Sequence, residues 1–189
     1  NALYLKRGDL QCEEVTETSK TAGEGRWCSG VTAVDVNADG RTDLYVSATV
    51  YAQGNRRKNL LYINEGNNDA GIPVFSEQAE AYGLADTTNT TQAAFLDYDR
   101  DGDLDLYLVV NEMDNRLIPN RYVQKRRDGK GRRNDRLYRN DGDQGNGHPV
   151  YTDATLTAGI NMDGHGLGLS ICDLNQDCPL YTSHPTNPN

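Results

Sequence analysis

The chemistry available to this chain is concentrated in Asp97-Tyr98-Asp99-Arg100-Asp101-Gly102-Asp103-Leu104-Asp105. Carboxylates at alternating positions around one glycine repel one another unless a positive charge sits among them. An oxygen-seeking divalent cation answers that repulsion, and Ca²⁺ is the first choice because it takes several carboxylate and carbonyl oxygens at once. The same pattern occurs at Asp35-Val36-Asn37-Ala38-Asp39-Gly40-Arg41-Thr42-Asp43, and a damaged copy at Asp173-Leu174-Asn175-Gln176-Asp177.

In a loop of the form D-x-[DN]-x-D-G-x-x-D, the first, third, fifth and ninth side chains can turn oxygens toward one centre. Glycine at the sixth position permits the sharp turn, and the seventh residue offers its backbone carbonyl. The first loop would then use Asp35, Asn37, Asp39 and Asp43, with the carbonyl of Arg41. The second would use Asp97, Asp99, Asp101 and Asp105, with the carbonyl of Asp103. In the third, Asp173, Asn175 and Asp177 remain, but Cys178-Pro179-Leu180-Tyr181 replaces the glycine and the final aspartate, so any ion there would be weakly held. An EF-hand shares the front half of this motif but needs Glu at the twelfth position. That position is Val46 in the first loop and Leu108 in the second, and strand-like residues follow where a helix should. Mg²⁺ fits less well because it keeps more of its water. The bland alternative is an acidic hairpin that binds no metal.

The elements that must carry these loops are short strands in a repeat. Asn59-Leu60-Leu61-Tyr62-Ile63-Asn64-Glu65-Gly66 matches Asp135-Arg136-Leu137-Tyr138-Arg139-Asn140-Asp141-Gly142 at an offset of 76. The offset holds through Pro73-Val74-Phe75 against Pro149-Val150-Tyr151, Gly83 against Gly159, and Asp97 against Asp173. A shorter first unit opens with Asn1-Ala2-Leu3-Tyr4. The units are residues 1–58, 59–134 and 135–189, the last incomplete. Each has strand-sized pieces separated by turns: N-x-L-Y-x-N, a piece around Val74 to Ser76, one around Ala93 to Leu96, and one from Leu104 to Val110. Helix is expected to be no more than a turn, near Glu77 to Tyr82. Four such pieces in a repeat of about this size predict an all-β chain built of β-propeller blades. About two and a half blades would leave open edges, so the expectation is a fragment of a larger propeller, with completion by association as the alternative.

Composition agrees with a thinly cored β protein: 36% hydrophobic residues, 11 Tyr and only 2 Phe in 189 residues. A net charge of −9 argues against general nucleic-acid binding. No apolar run is long enough for a membrane-spanning helix. The start of the chain lacks both an initiator Met and a signal-peptide layout, and is read as a mature or excised segment. Arg116 to Arg136 carries nine of the 19 basic residues and lengthens the second unit. It is either a polyanion-binding loop or a solvated insertion that offsets the acidic loops. Cys12 and Cys28 could bridge in an oxidising compartment or remain two free thiols, and no C-x-x-C pair suggests zinc.

The N-x-L-Y openings, Gly83-Leu84, D-x-D-x-D-G-D-L-D-L-Y, and Gly166-Leu167-Gly168-Leu169 before the third loop carry a resemblance. The units resemble FG-GAP/VCBS repeats, the Ca²⁺-binding blades of integrin-α-like β-propellers. The closer likeness is to the group joined to ASPIC/UnbV domains and similar to cartilage acidic protein. The resemblance implies structural Ca²⁺, an extracellular, surface or periplasmic location, and a protein or glycan ligand in adhesion or recognition. It does not imply catalysis. His148, His165 and His184 have no serine in a nucleophile-elbow context, so a hydrolase triad has little support. A lectin-like module and the non-catalytic part of a polysaccharide-processing enzyme are the alternatives.

Overall fold

The computed structural model describes residues 1–50, 53–112 and 124–172. They form almost exclusively antiparallel β structure. A two-stranded hairpin, β1 (Tyr4–Lys6) with β2 (Cys12–Glu14), precedes one helical turn, α1 (Thr16–Ser19). Two four-stranded sheets follow. The first runs in order through β3 (Cys28–Val34), β4 (Asp43–Ala48), β5 (Leu60–Asn67) and β6 (Pro73–Glu77). The second runs through β7 (Thr90–Leu96), β8 (Asp105–Val110), β9 (Arg136–Asp143) and β10 (Pro149–Asp153). Neither sheet closes on itself. Each is a simple meander, as expected where short alternating segments are joined by Gly- and Asn-rich turns.

The sheets do not coincide with the sequence units. Each takes its first two strands from one unit and its last two from the next, because the N-x-L-Y strand pairs backward with the strand that follows the acidic loop. Leu44 opposes Tyr62 and Leu106 opposes Tyr138. The two strands after the acidic loops are the most enclosed. In β4 every residue except Leu44 is buried, and in β8 every residue except Tyr107. A strand covered on both faces reads as a continuous apolar run, which is why Leu-Tyr-Val-Ser-Ala and Leu-Tyr-Leu-Val-Val show so little alternation.

The main core lies between the two sheets. Val34, Tyr45, Leu61, Ile63, Tyr82 and Leu84 from the first side meet Ala93, Leu106, Leu108 and Tyr151 from the second. Tyr45 meets Phe95 edge-on, with ring centroids 5.8 Å apart. Buried polar groups are paired across the same seam. Asn59 accepts from the Ala48 N–H and donates to the Tyr45 hydroxyl and Thr90 Oγ1. The Tyr138 hydroxyl donates to Asp86 Oδ2 at 2.7 Å, and burial together with that carboxylate pushes the phenol upward. Gly83 shows why the repeat keeps a glycine after the second strand piece. It sits at φ +76, and a Cβ there would lie 2.6 Å from the Tyr151 carbonyl oxygen. Tyr151 N–H in turn donates to the Tyr82 carbonyl.

Cys12 and Cys28 are free thiols, as is Cys172; Cys178 lies outside the described residues. Among the described residues no helix is long and apolar enough to cross a membrane.

Candidate metal centre

The second acidic loop is the connection between β7 and β8. Asp97 leaves β7 and Asp105 begins β8, so the first and ninth positions are fixed by the two strands of one hairpin. Between them the backbone turns through positive φ at Arg100 (66°) and Gly102 (96°). The carboxylates hold that turn. Asp97 Oδ1 accepts from the Arg100 N–H at 2.7 Å and Oδ2 from the Gly102 N–H at 3.2 Å, while Asp101 Oδ1 accepts from the Asp103 N–H at 3.2 Å. The result is convergence: one oxygen each from Asp97, Asp99 and Asp105 lies within 4.8 Å of the others. Calcium–oxygen distances of about 2.3–2.6 Å place opposite ligands roughly 5 Å apart, so oxygens at this spacing could hold one divalent ion.

The electrostatics fit a cation as well. Burial pushes the Asp105 carboxyl up to about 6, against the two backbone N–H groups that favour its charge. Burial and then the Asp101 carboxylate push Asp103 up to about 7. Asp99 is raised by burial and by Asp101 and Asp97. Asp103 Oδ1 is enclosed and has no hydrogen-bond partner. The sequence assigns Asp103 only a backbone carbonyl, yet its side chain is the carboxylate left unsatisfied. Asp101 and Asp103 stand beside the trio rather than within it.

The first loop has the same trace between β3 and β4. Positive φ falls at Ala38 (56°) and Gly40 (82°), the positions of Arg100 and Gly102. Asp35 accepts from the Asp39 and Gly40 N–H groups at 3.0 and 2.8 Å. Its interior differs. Asp39 is hydrogen-bonded by Asn37 Nδ2 and ion-paired with Arg41 Nη1 at 3.4 Å. Asp43 is raised by burial. Among the described residues, only the second loop brings three carboxylates within that spacing. Arg41 occupies the place of Asp103, so the first loop holds a cation of its own. Asp173, Asn175 and Asp177 lie outside the described residues.

Two residues that the sequence marks only as turn formers belong to these sites. Asn64 and Asn140, which end the N-x-L-Y-x-N segments, tie the ninth carboxylate to the next strand. Asp43 accepts from the Val36 and Asn64 N–H groups at 3.0 and 2.8 Å; Asp105 accepts from Tyr98 and Asn140 at 2.9 Å each. The asparagine side chains reach the loops too, at the Thr42 carbonyl (3.1 Å) and the Leu104 carbonyl (3.4 Å). The signal was in the sequence: each motif asparagine recurs with each acidic loop.

The described part of the basic insertion lies along the segment after β10. The Gly129 N–H donates to the Asn161 carbonyl and the Asp163 N–H to the Arg126 carbonyl. Arg126 pairs with Asp128 and Arg132 with Glu112, both at 2.7 Å. Its remaining residues, 116–123, are outside the described set. His148 stacks on Tyr82 at 4.5 Å, and His165 is exposed. Compared with protein-family models and with curated proteins, the chain matches none.

Proposed function

We propose that this chain is a Ca²⁺-binding, non-catalytic segment of β-propeller blades of the FG-GAP/VCBS kind, serving adhesion or recognition outside the cytoplasm. The observation that carries the reading is the convergence of Asp97, Asp99 and Asp105 within 4.8 Å. Its setting supports a structural rather than catalytic ion. The carboxylates join the β7–β8 hairpin, and Asp105 extends the tie to β9 through the Asn140 N–H. An ion there would neutralise the loop and lock three of the four strands of the second sheet to one another. Blade character is supported by two consecutive four-stranded meanders that carry the same loop at the same position.

Thermal melting in excess CaCl2 and in EDTA tests the proposal. At a calcium concentration a hundredfold above the dissociation constant, linkage adds about 2.7 kcal/mol, or roughly 5–10 °C for a chain of this size. Identical melting in the two conditions, for the unaltered chain and for Asp97→Ala alike, would remove the central claim. A glycan array separates a lectin-like ligand from a protein one.

A further inference from the structure

Charge is segregated along the two four-stranded sheets. Ser29 Oγ and Thr32 Oγ1 of β3 donate to the Thr90 and Ala93 carbonyls of β7, so the two strands run side by side in the same direction. Both acidic loops, β3–β4 and β7–β8, therefore leave one end of the sheets, and the β4–β5 and β8–β9 connections leave the other. Those connections are the basic ones. Arg56-Arg57 in the first and Arg132-Arg133 in the second correspond at the offset of 76 that relates the N-x-L-Y strands. The second connection adds Lys125, Arg126, Arg127 and Lys130, with Asp128 the only acid between Lys125 and Arg133.

This second connection is clamped to the chain behind it. The Gly129 N–H donates to the Asn161 carbonyl, the Asp163 N–H to the Arg126 carbonyl and the Gly164 N–H to the Arg133 carbonyl, at 2.8, 3.0 and 3.1 Å. Gly129 and Gly131 are buried, and a Cβ on them would overlap Leu156 and the Asp163 carboxylate respectively. The segment thus lies flat against residues 156–164 and forms a ledge. Lys125, Arg127, Lys130 and Arg132 are exposed on it. Arg126 is held by Asp128 and Arg132 by Glu112, whereas Lys125, Arg127 and Lys130 make no ion pair among the described residues. Cations fixed this closely on a tied backbone repel one another, and an anionic ligand relieves the repulsion.

We infer that this ledge binds a sulfated polysaccharide, with Lys125, Arg127 and Lys130 on its sulfate groups. Lys- and Arg-rich runs of this length serve nucleic acids or heparin-like polymers. Residues 124–133 contain no aromatic side chain on which a base could stack, which favours the polysaccharide. A sulfate ester is fully ionised and offers several acceptor oxygens to ammonium and guanidinium donors. The inference rests on the reading of recognition outside the cytoplasm, where such polymers are met, and not on the metal.

Binding of size-fractionated heparin to the full chain, measured by calorimetry in EDTA and in excess calcium, tests this. Heparin should bind in both conditions, and binding should weaken steeply as salt is raised because counterions are released. Lys125→Ser, Arg127→Ser and Lys130→Ser together should weaken it by at least about tenfold. Melting and calcium binding should be unchanged in that variant, since all three side chains are exposed. Lys6→Ser, which removes an exposed positive charge from β1, should leave heparin binding as it was. Absence of heparin binding overturns the inference, as does equal binding by the triple variant. Single-stranded DNA of matched length that binds as tightly as heparin also overturns it and assigns the ledge to nucleic acid. Heparin binding by a chain whose melting ignores calcium leaves this inference standing and counts against the metal. Calcium stabilisation without heparin binding does the reverse.

Discussion

The two acidic loops share one backbone and differ in charge. Both pin the first carboxylate on N–H groups within the turn and the ninth on the following strand. The first sets three carboxylates against one guanidinium, and the second sets five against one. In the first loop Arg41 lies against Asp39, whereas in the second Asp103 fills the same position and is left with an unsatisfied oxygen. Loop shape and loop charge are therefore separable: backbone hydrogen bonds make the shape, while the third residue (Asn37 against Asp99) and the seventh (Arg41 against Asp103) set the charge.

The largest effect that can break this comparison is removal of the first-position carboxylate. Asp97→Ala should lower calcium affinity by roughly a hundredfold or more, and Asp35→Ala should lower it far less, as read by competition with a fluorescent chelator. Equal losses would erase the difference between the loops. The shared part of the design predicts equality instead. Asn64→Ala and Asn140→Ala should each cost about 1–3 kcal/mol in urea unfolding with EDTA present, since both leave loop carbonyls and turn N–H groups without partners. A smaller and more pointed test exchanges the seventh residue. Arg41→Asp should tighten calcium binding at the first loop by about tenfold, and Asp103→Arg should weaken the second by a similar factor.

The smallest effect is the dependence on pH without metal. Asp103 and Asp105 are raised to about 7 and about 6 in the fold, so the folded state binds more protons than the unfolded chain between about pH 4 and 7. Stability in EDTA should fall as pH rises through that window. Calcium needs the ionised carboxylates, so its stabilisation should grow over the same window. Asp103→Asn should flatten the EDTA profile.

Much of this arrangement was legible in the sequence. The strand pieces at Val74 to Ser76, Ala93 to Leu96 and Leu104 to Val110 are β6, β7 and β8, because alternation and glycine-bounded length are local signals. The grouping of strands into sheets was not local. The repeat begins at N-x-L-Y, but Leu44 and Leu106 recruit that strand from the next unit, a pairing that depends on tertiary contact. The placement of the first and ninth carboxylates of the second loop at the two ends of one hairpin was legible from their spacing. The partnership of Asp105 with the Asn140 backbone was not, because it links residues 35 positions apart. Nor was the difference between Arg41 and Asp103, since a carbonyl role makes the seventh side chain irrelevant and the fold does not.

The most direct measurement is a calcium titration by calorimetry on the unaltered chain, Asp35→Ala and Asp97→Ala. A saturable binding event should occur in the first two proteins and be lost in Asp97→Ala. No calcium heat in the unaltered chain, or the same heat in Asp97→Ala, would contradict the assignment of the ion to the second loop.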